Sequence, residues 1–133
     1  GIRGSQYGVE DVQGSIDLGY EVIMANEIHE IGIAETGKRI RDRVKDKKAF
    51  LSFDIDFVDP SMAPGTGTIE IGGFTGYETL RFIREMKDIN FVGMDLVEVL
   101  PTIDPAGMTA YMAGNVMLEF LFVIARQKKD GKR

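Results

Sequence analysis

This sequence predicts an α/β fold built on a mainly parallel sheet, and three observations carry that prediction. Short apolar runs alternate with amphipathic helical stretches along the chain, the pattern of strand–helix units around a parallel sheet. The run Ala49–Phe53 is mostly apolar, as expected of a strand covered on both faces. Acidic residues cluster where strands end: Asp54 at the end of one, Asp56 and Glu98 just past the ends of two. In parallel sheets, ligands bind at that carboxyl edge.

The elements follow in order. Gly1–Arg3 fits the end of a strand. Glu10–Leu18 reads as a short helix with acids in its first turn, where they suit the helix dipole, and Gly19 stops it. Tyr20–Met24 (YEVIM) is a strand candidate. Asn26 can cap a short helical turn through Ile31, and Gly32 separates that turn from a longer helix over Ala34–Lys47. In that helix Ile33, Gly37, Ile40 and Val44 recur at helical spacing among basic residues. The basic stretch Lys38–Lys48 is read as a solvated face.

The strand Ala49–Phe53 leads into a long irregular loop, Asp54–Thr75, rich in Gly and Pro. Loops of that length inside a compact domain are usually functional. Gly76–Lys87 is a helix, Phe91–Val97 a strand, Pro101–Gly107 a loop and Thr109–Arg126 the last helix. Within it the apolar stretch Ala110–Ala125 is short for a bilayer span, which takes about 20 residues, and reads as a buried helix. The charged tail Gln127–Arg133 is expected to fray.

Composition narrows the function classes. With 133 residues the expectation is one domain with a real core. Hydrophobic residues make up 44% and charged residues 28%, ordinary values for a globular chain. A net charge of −5 argues against nucleic-acid binding. Without cysteine there can be no disulfide, Cys-ligated zinc or thiol catalysis. With no signal-peptide pattern and no membrane span read from the sequence, a cytoplasmic location is expected.

The chemistry concentrates in Ser52–Gly73, SFDIDFVDPSMAPGTGTIEIGG. Asp54 and Asp56 are two residues apart at the mouth of a strand, so both can offer hard oxygen ligands to a divalent metal. The competing local reading is that one of them caps the next turn through its side chain, a role that Asp59-Pro60 fits better. A D-x-D pair is also used by haloacid-dehalogenase-like phosphatases, but those usually continue with Thr/Val-type residues and Gly-Thr, not Phe57-Val58-Asp59-Pro60. An EF-hand needs an acid at position 5 and Gly at 6, where this chain has Val58 and Asp59.

The loop decides among these. D-I-D-x-x-D-P-x-x-A-P-G-T-G-T followed by Gly72-Gly73 resembles the ureohydrolase superfamily of arginase, agmatinase and relatives. Met94-Asp95-Leu96-Val97-Glu98-Val99 before Pro101 resembles the family's strand that ends in a substrate-binding glutamate. Asp104–Thr109 and then Ala110 resemble the opening of the last helix in agmatinases. After Gly1-Ile2-Arg3, arginases carry acids that read the amino-acid end of arginine. Here Gly4-Ser5-Gln6 follows, so the chain leans toward a substrate without that head, such as agmatine; guanidinobutyrate and guanidinopropionate stay open.

The resemblance implies a three-layer αβα fold of which residues 1–133 are one partial domain, the C-terminal part. It implies two Mn²⁺ ions, with Asp54 as the bridging carboxylate and Asp56 as a ligand to one of them. Glu98 would pair with the guanidinium, and Thr68 would shape the pocket floor with the Gly65–Gly67 backbone. The expected reaction is hydrolysis of a guanidino C–N bond with release of urea, in a homo-oligomer.

Two departures stand out. Ile69 occupies a position where the family usually has Pro. The family's G-G-D-H and D-x-H-x-D segments, which carry other ligands, are missing, and the single histidine, His29, lies in a helical patch and reads as structural or exposed. The fragment alone is therefore expected to be inactive, with its catalytic residues upstream. The alternatives are a non-catalytic half acting as an interaction or folding module, marked by exposed apolar surface at the sheet edge, and a Mg²⁺ phosphohydrolase using Asp54 and Asp56.

Overall fold

The computed structural model describes residues 2–4 and 7–131. The parts of the readings that fall on Gly1, Ser5, Gln6, Lys132 and Arg133 lie outside those residues. Four α-helices and two strands follow in the order α1 (Val9–Asp17), α2 (Ala25–Val44), β1 (Lys48–Asp54), α3 (Gly76–Glu85), β2 (Asn90–Val97) and α4 (Met108–Lys129). Single 3₁₀ turns occupy Ile55–Phe57, Pro101–Ile103 and Pro105–Gly107. The predicted α/β class with a parallel sheet is what the chain adopts: β1 and β2 pair in parallel, joined through α3.

The register runs from Lys48 opposite Asn90 to Asp54 opposite Val97, with one irregularity between Ala49 and Phe50. Ala49 pairs with Phe91 but Phe50 with Gly93, so Val92 is the extra residue of a bulge. A Cβ on Gly93 would sit 2.9 Å from the Phe50 ring, so a side chain there would push that exposed ring aside. Parallel pairing brings both strands to the same carboxyl edge, which sets Asp54 beside the β2 end that leads to Glu98.

Several local expectations change. Tyr20–Met24 does not form a strand; only Met24 makes a parallel bridge, to Ile2. Asn26 does not cap α2, which starts at Ala25 after an N-cap, Met24, that makes no side-chain cap bond. Gly32 does break the helix, with φ 81°, and Thr36 Oγ1 donates to its carbonyl at 2.9 Å. The strand β1 is covered on one face only: Phe53 is buried, while Phe50 is 60% exposed. A two-stranded sheet has too little chain around it to cover both faces.

The core is aromatic on the side of the long loop. Phe57 stacks on Phe74 with ring centroids 4.4 Å apart and on Phe82 at 5.3 Å, and meets Phe53 edge-on at 5.7 Å. Phe53, Phe57 and Phe74 are buried, and burying such a ring stabilises the fold by about 1.5–3 kcal/mol, whereas Phe82 is only partly covered. His29 caps the stack on Phe74 at 4.4 Å and lies 3.1 Å from the Gly72 carbonyl through Nε2, so the structural reading of it holds. Farther along the sheet, Phe91 meets Phe120 of α4 at 5.2 Å.

Helix α3 begins with a capping box. Thr75 Oγ1 accepts from Glu78 N–H at 3.2 Å, and the Glu78 carboxylate accepts from Thr75 N–H at 2.8 Å. Helix α4 buries Thr109, Ala113, Val116, Phe120, Val123 and Gln127, a stripe at three- and four-residue steps. Its other face is open, with Tyr111, Leu118, Leu121 and Phe122 exposed, so the helix is half-buried rather than buried. Pro105–Lys129 is long and apolar enough to cross a membrane by length and composition, so length is no argument against a span. The buried stripe packs on α3 and β2. The expected fraying begins later than Gln127. That side chain is buried and donates to the Lys87 and Ile89 carbonyls, both at 2.7 Å, which ties the helix end to the turn before β2.

Candidate metal centre

The site is assembled at the carboxyl edge of the sheet. Asp54 ends β1, and its Oδ1 accepts from Asp56 N–H at 3.0 Å, which caps the 3₁₀ turn Ile55–Phe57. The capping role considered for one of the two aspartates is thus realised by Asp54, and the turn carries Asp56 off the strand. Asp54 and Asp56 line one groove of ≈ 440 Å³, with Ser52, Phe53 and Phe57 beside them and Ile2, Ile23 and Ile28 opposite.

The loop that follows is tied down at several points. Asp59 Oδ1 accepts from Ser61 N–H at 3.0 Å, and its Oδ2 accepts from Gly72 N–H at 3.0 Å and Gly73 N–H at 3.1 Å. Those bonds, from Ser61 foremost, hold the Asp59 carboxyl below the usual carboxylate range. Val58 and Phe74 form a parallel bridge, which closes the loop base. At its far side Thr66 bridges Val99, and Leu100 N–H donates to the Gly65 carbonyl at 2.7 Å. Gly65 N–H donates to Thr109 Oγ1 at 2.8 Å, so the start of α4 also anchors the loop. Gly65 cannot carry a side chain, since a Cβ would lie 2.6 Å from Asp104 Cβ.

Thr68 hangs from this frame. Its hydroxyl donates to Asp56 Oδ2 at 2.6 Å. The structure therefore places Thr68 on the candidate ligand, where it fixes which carboxylate oxygen is left free. Glu98 lies just past β2 with φ 67°, in the left-handed region that a residue with a side chain enters at a cost of about 1–2 kcal/mol. Strain of that kind gathers at functional sites. Glu98 is exposed and close enough to Asp54 to act on its charge.

The local electrostatics disfavour the ionised form of Asp54. The Asp54 carboxyl is pushed up, first by burial and then by the Asp56 and Glu98 carboxylates, against the lowering effect of the Asp56 N–H bond. The donors are hard oxygens, which suit Mn²⁺ or Mg²⁺ in type. They do not suit it in number: among the described residues no group of three or more His, Asp or Glu side chains is arranged to hold an ion. Among the described residues, Asp54 and Asp56 have no third such side chain placed with them to hold an ion.

The family model for the arginase family matches residues 1–123. The chain belongs to the arginase family. Putative agmatinase 1 of Schizosaccharomyces pombe is 43% identical over 126 residues, 95% of this chain and 32% of that protein. The agmatinase of Enterobacter sp. strain 638 is 40% identical over 114 residues, 86% of this chain and 37% of that protein. Proclavaminate amidino hydrolase from Streptomyces clavuligerus superposes with a TM-score of 0.84 at 38% identity, covering 95% of this chain and 41% of that one. The chain thus spans about a third of the length of the relatives it matches, and it has the arginase-like α/β fold over the part it spans.

Two residues at this arginase-family site escaped the motif-based reading as site residues. Arg3 sends Nη2 to the Asp56 carbonyl at 2.6 Å, and Asp59 latches the loop rather than only starting a turn. Arg3 was legible as part of the Gly1-Ile2-Arg3 segment, which gave its place in the family pattern but not its reach to the Asp56 carbonyl. Asp59 had one, its Pro60 neighbour, which points to a local turn but not to Gly72 and Gly73.

Proposed function

We propose that the chain is the C-terminal part of a Mn²⁺-dependent ureohydrolase that cleaves a guanidino C–N bond and releases urea, with agmatine as substrate. The observation that carries this is the meeting of Asp54, Asp56, Thr68 and Glu98 at one sheet edge, on a loop whose closure leaves Asp56 oriented by Thr68. The agmatinase names of the relatives support the substrate.

In this reading Asp54 and Asp56 would hold a Mn²⁺ pair together with further ligands from outside the described residues. Such a pair, when bound, would supply a water activated near neutral pH. Glu98 holds the guanidinium by a charge-assisted contact, and its exposed position leaves it free to meet a ligand. Thr68 keeps Asp56 in one orientation. Ile69, at the position where the family's Pro was expected, is 52% exposed and makes no demand on the ligands. The complete protein works as a cytoplasmic homo-oligomer, and the 133-residue chain alone is inactive.

A second reading has its own support. Phe50, Val92 and the outer face of α4 are exposed apolar surface, as expected of a half-fold that binds another chain. The test is urea release from agmatine, arginine and guanidinobutyrate with added Mn²⁺, on the 133-residue chain and on the protein from its complete reading frame, each with E98Q alongside. Release from agmatine by the complete protein, lost in E98Q, supports the enzyme reading. No release from any of the three sinks it.

A further inference from the structure

We propose that Arg3 is a positioning residue for Asp56, acting through the backbone of the loop that follows β1. The inference rests on the reading of Asp56 as a metal ligand. Arg3 is partly buried, and its guanidinium reaches the two ends of the loop at once. Nη2 donates to the Asp56 carbonyl at 2.6 Å and to the Glu70 carbonyl at 2.8 Å. Nε donates to the Glu70 and Ile71 carbonyls, both at 3.2 Å. A planar fork of donors can span those acceptors; a lysine ammonium on its flexible stem cannot hold them in the same plane.

Asp59 works from the other side of the same strand of backbone. Its Oδ2 takes the Gly72 and Gly73 amides. Gly73 has no room for a side chain between the Asp59 backbone and the Arg3 guanidinium: a Cβ there would lie 2.6 Å from Asp59 N and 2.8 Å from Arg3 Nη2. Arg3 and Asp59 thus clasp the Glu70–Gly73 segment against Asp56–Asp59. Thr68 lies in the loop so closed, and its hydroxyl meets Asp56 Oδ2. Asp56 is held twice, by Arg3 at its carbonyl and by Thr68 at its carboxylate. Loosening the first grip frees the loop and with it the second.

The test is solution NMR on the 133-residue chain, wild type against R3Q and R3K. It reads the Thr68 side-chain rotamer from its three-bond couplings and the amide exchange of Gly72, Gly73 and the β1–β2 pair. In wild type, Thr68 occupies one rotamer. In R3Q its couplings average, and Gly72 and Gly73 exchange at least tenfold faster while β1–β2 protection stays. R3K, with one charged donor in place of a fork, falls between. An unaveraged Thr68 with unchanged Gly72 and Gly73 exchange in both variants overturns the proposal. So does loss of β1–β2 protection together with the loop in both, which would make Arg3 a support of the whole fold. None of these readouts needs a metal. If wild-type protein from the complete reading frame releases no urea, the ureohydrolase reading fails while the Arg3 result stands by itself.

Discussion

Replacing Thr109 by Val tests how firmly α4 holds the candidate site. Thr109 is fully buried, and its hydroxyl accepts the Gly65 N–H at 2.8 Å. Valine fills nearly the same volume, so T109V opens no cavity. It leaves the buried Gly65 N–H with no acceptor, a loss of about 1–3 kcal/mol. Unfolding entropy near 2.1 cal/mol/K per residue gives about 0.28 kcal/mol/K for 133 residues. The expected fall in Tm is therefore about 4–11 °C. Thermal unfolding followed by circular dichroism measures it, with T109S as the control that keeps the hydroxyl and loses a methyl. The reasoning requires T109V to fall well below T109S. Equal losses, or a T109V chain that melts with wild type, would show that the Gly65 bond contributes nothing.

Other perturbations follow from the same geometry. Arg84 grips Glu119 with two bonds, at 2.7 and 2.8 Å, and holds its carboxyl below the ordinary value of 4.5. A depressed carboxylate stabilises the fold above its unfolded pKa and loses that effect as pH falls through its folded one. The melting temperature of wild type should therefore drop more steeply below pH 4.5 than that of E119Q, measured by thermal scans from pH 7 to 3. Asp54 has the opposite sign, because its folded pKa is raised. D54N should melt above wild type at pH 7 in chelator, and the gap should close as pH falls toward the ordinary value of 3.8. E98G removes a side chain from φ 67°, so the chain should gain about 1 kcal/mol of stability in denaturant titration while the complete protein loses urea release. A less stable E98G chain would contradict the strain argument.

The sequence was most legible where geometry is local. Helix α3, Gly32 as a break, β1 and β2 all follow from patterns of a few residues; the D-x-D loop motif pointed to Asp54, Asp56 and Thr68, and the separate Met94–Val99 block before Pro101 pointed to Glu98. Asp59 was legible as a turn former for the same reason. What stayed hidden depends on partners distant in sequence. Arg3 finds Asp56 and Glu70 across more than fifty residues, and no spacing announces that. Gln127 looks like the start of a polar tail until the Lys87 and Ile89 carbonyls are in place. Tyr20–Met24 has the composition of a strand, but strands need neighbours, and among the described residues only Ile2 pairs with it. The mostly apolar run in β1 predicted two covered faces, yet Phe50 remains open. The run and the sheet agree only if more chain packs on that side. Thr68 was assigned to a pocket floor because the motif gives its position, not the direction of its hydroxyl.

Asp54, Asp56 and Glu98 are proposed as members of a metal-dependent guanidino-hydrolase site that the described residues do not complete. The most direct measurement is urea release from agmatine with added Mn²⁺ on a sample of known intact mass, with D54N run in parallel. The account predicts no urea from a 14.8 kDa sample, and release from a larger complete protein that D54N abolishes. Undiminished release by D54N, or a complete protein that releases no urea under any metal condition, would contradict it.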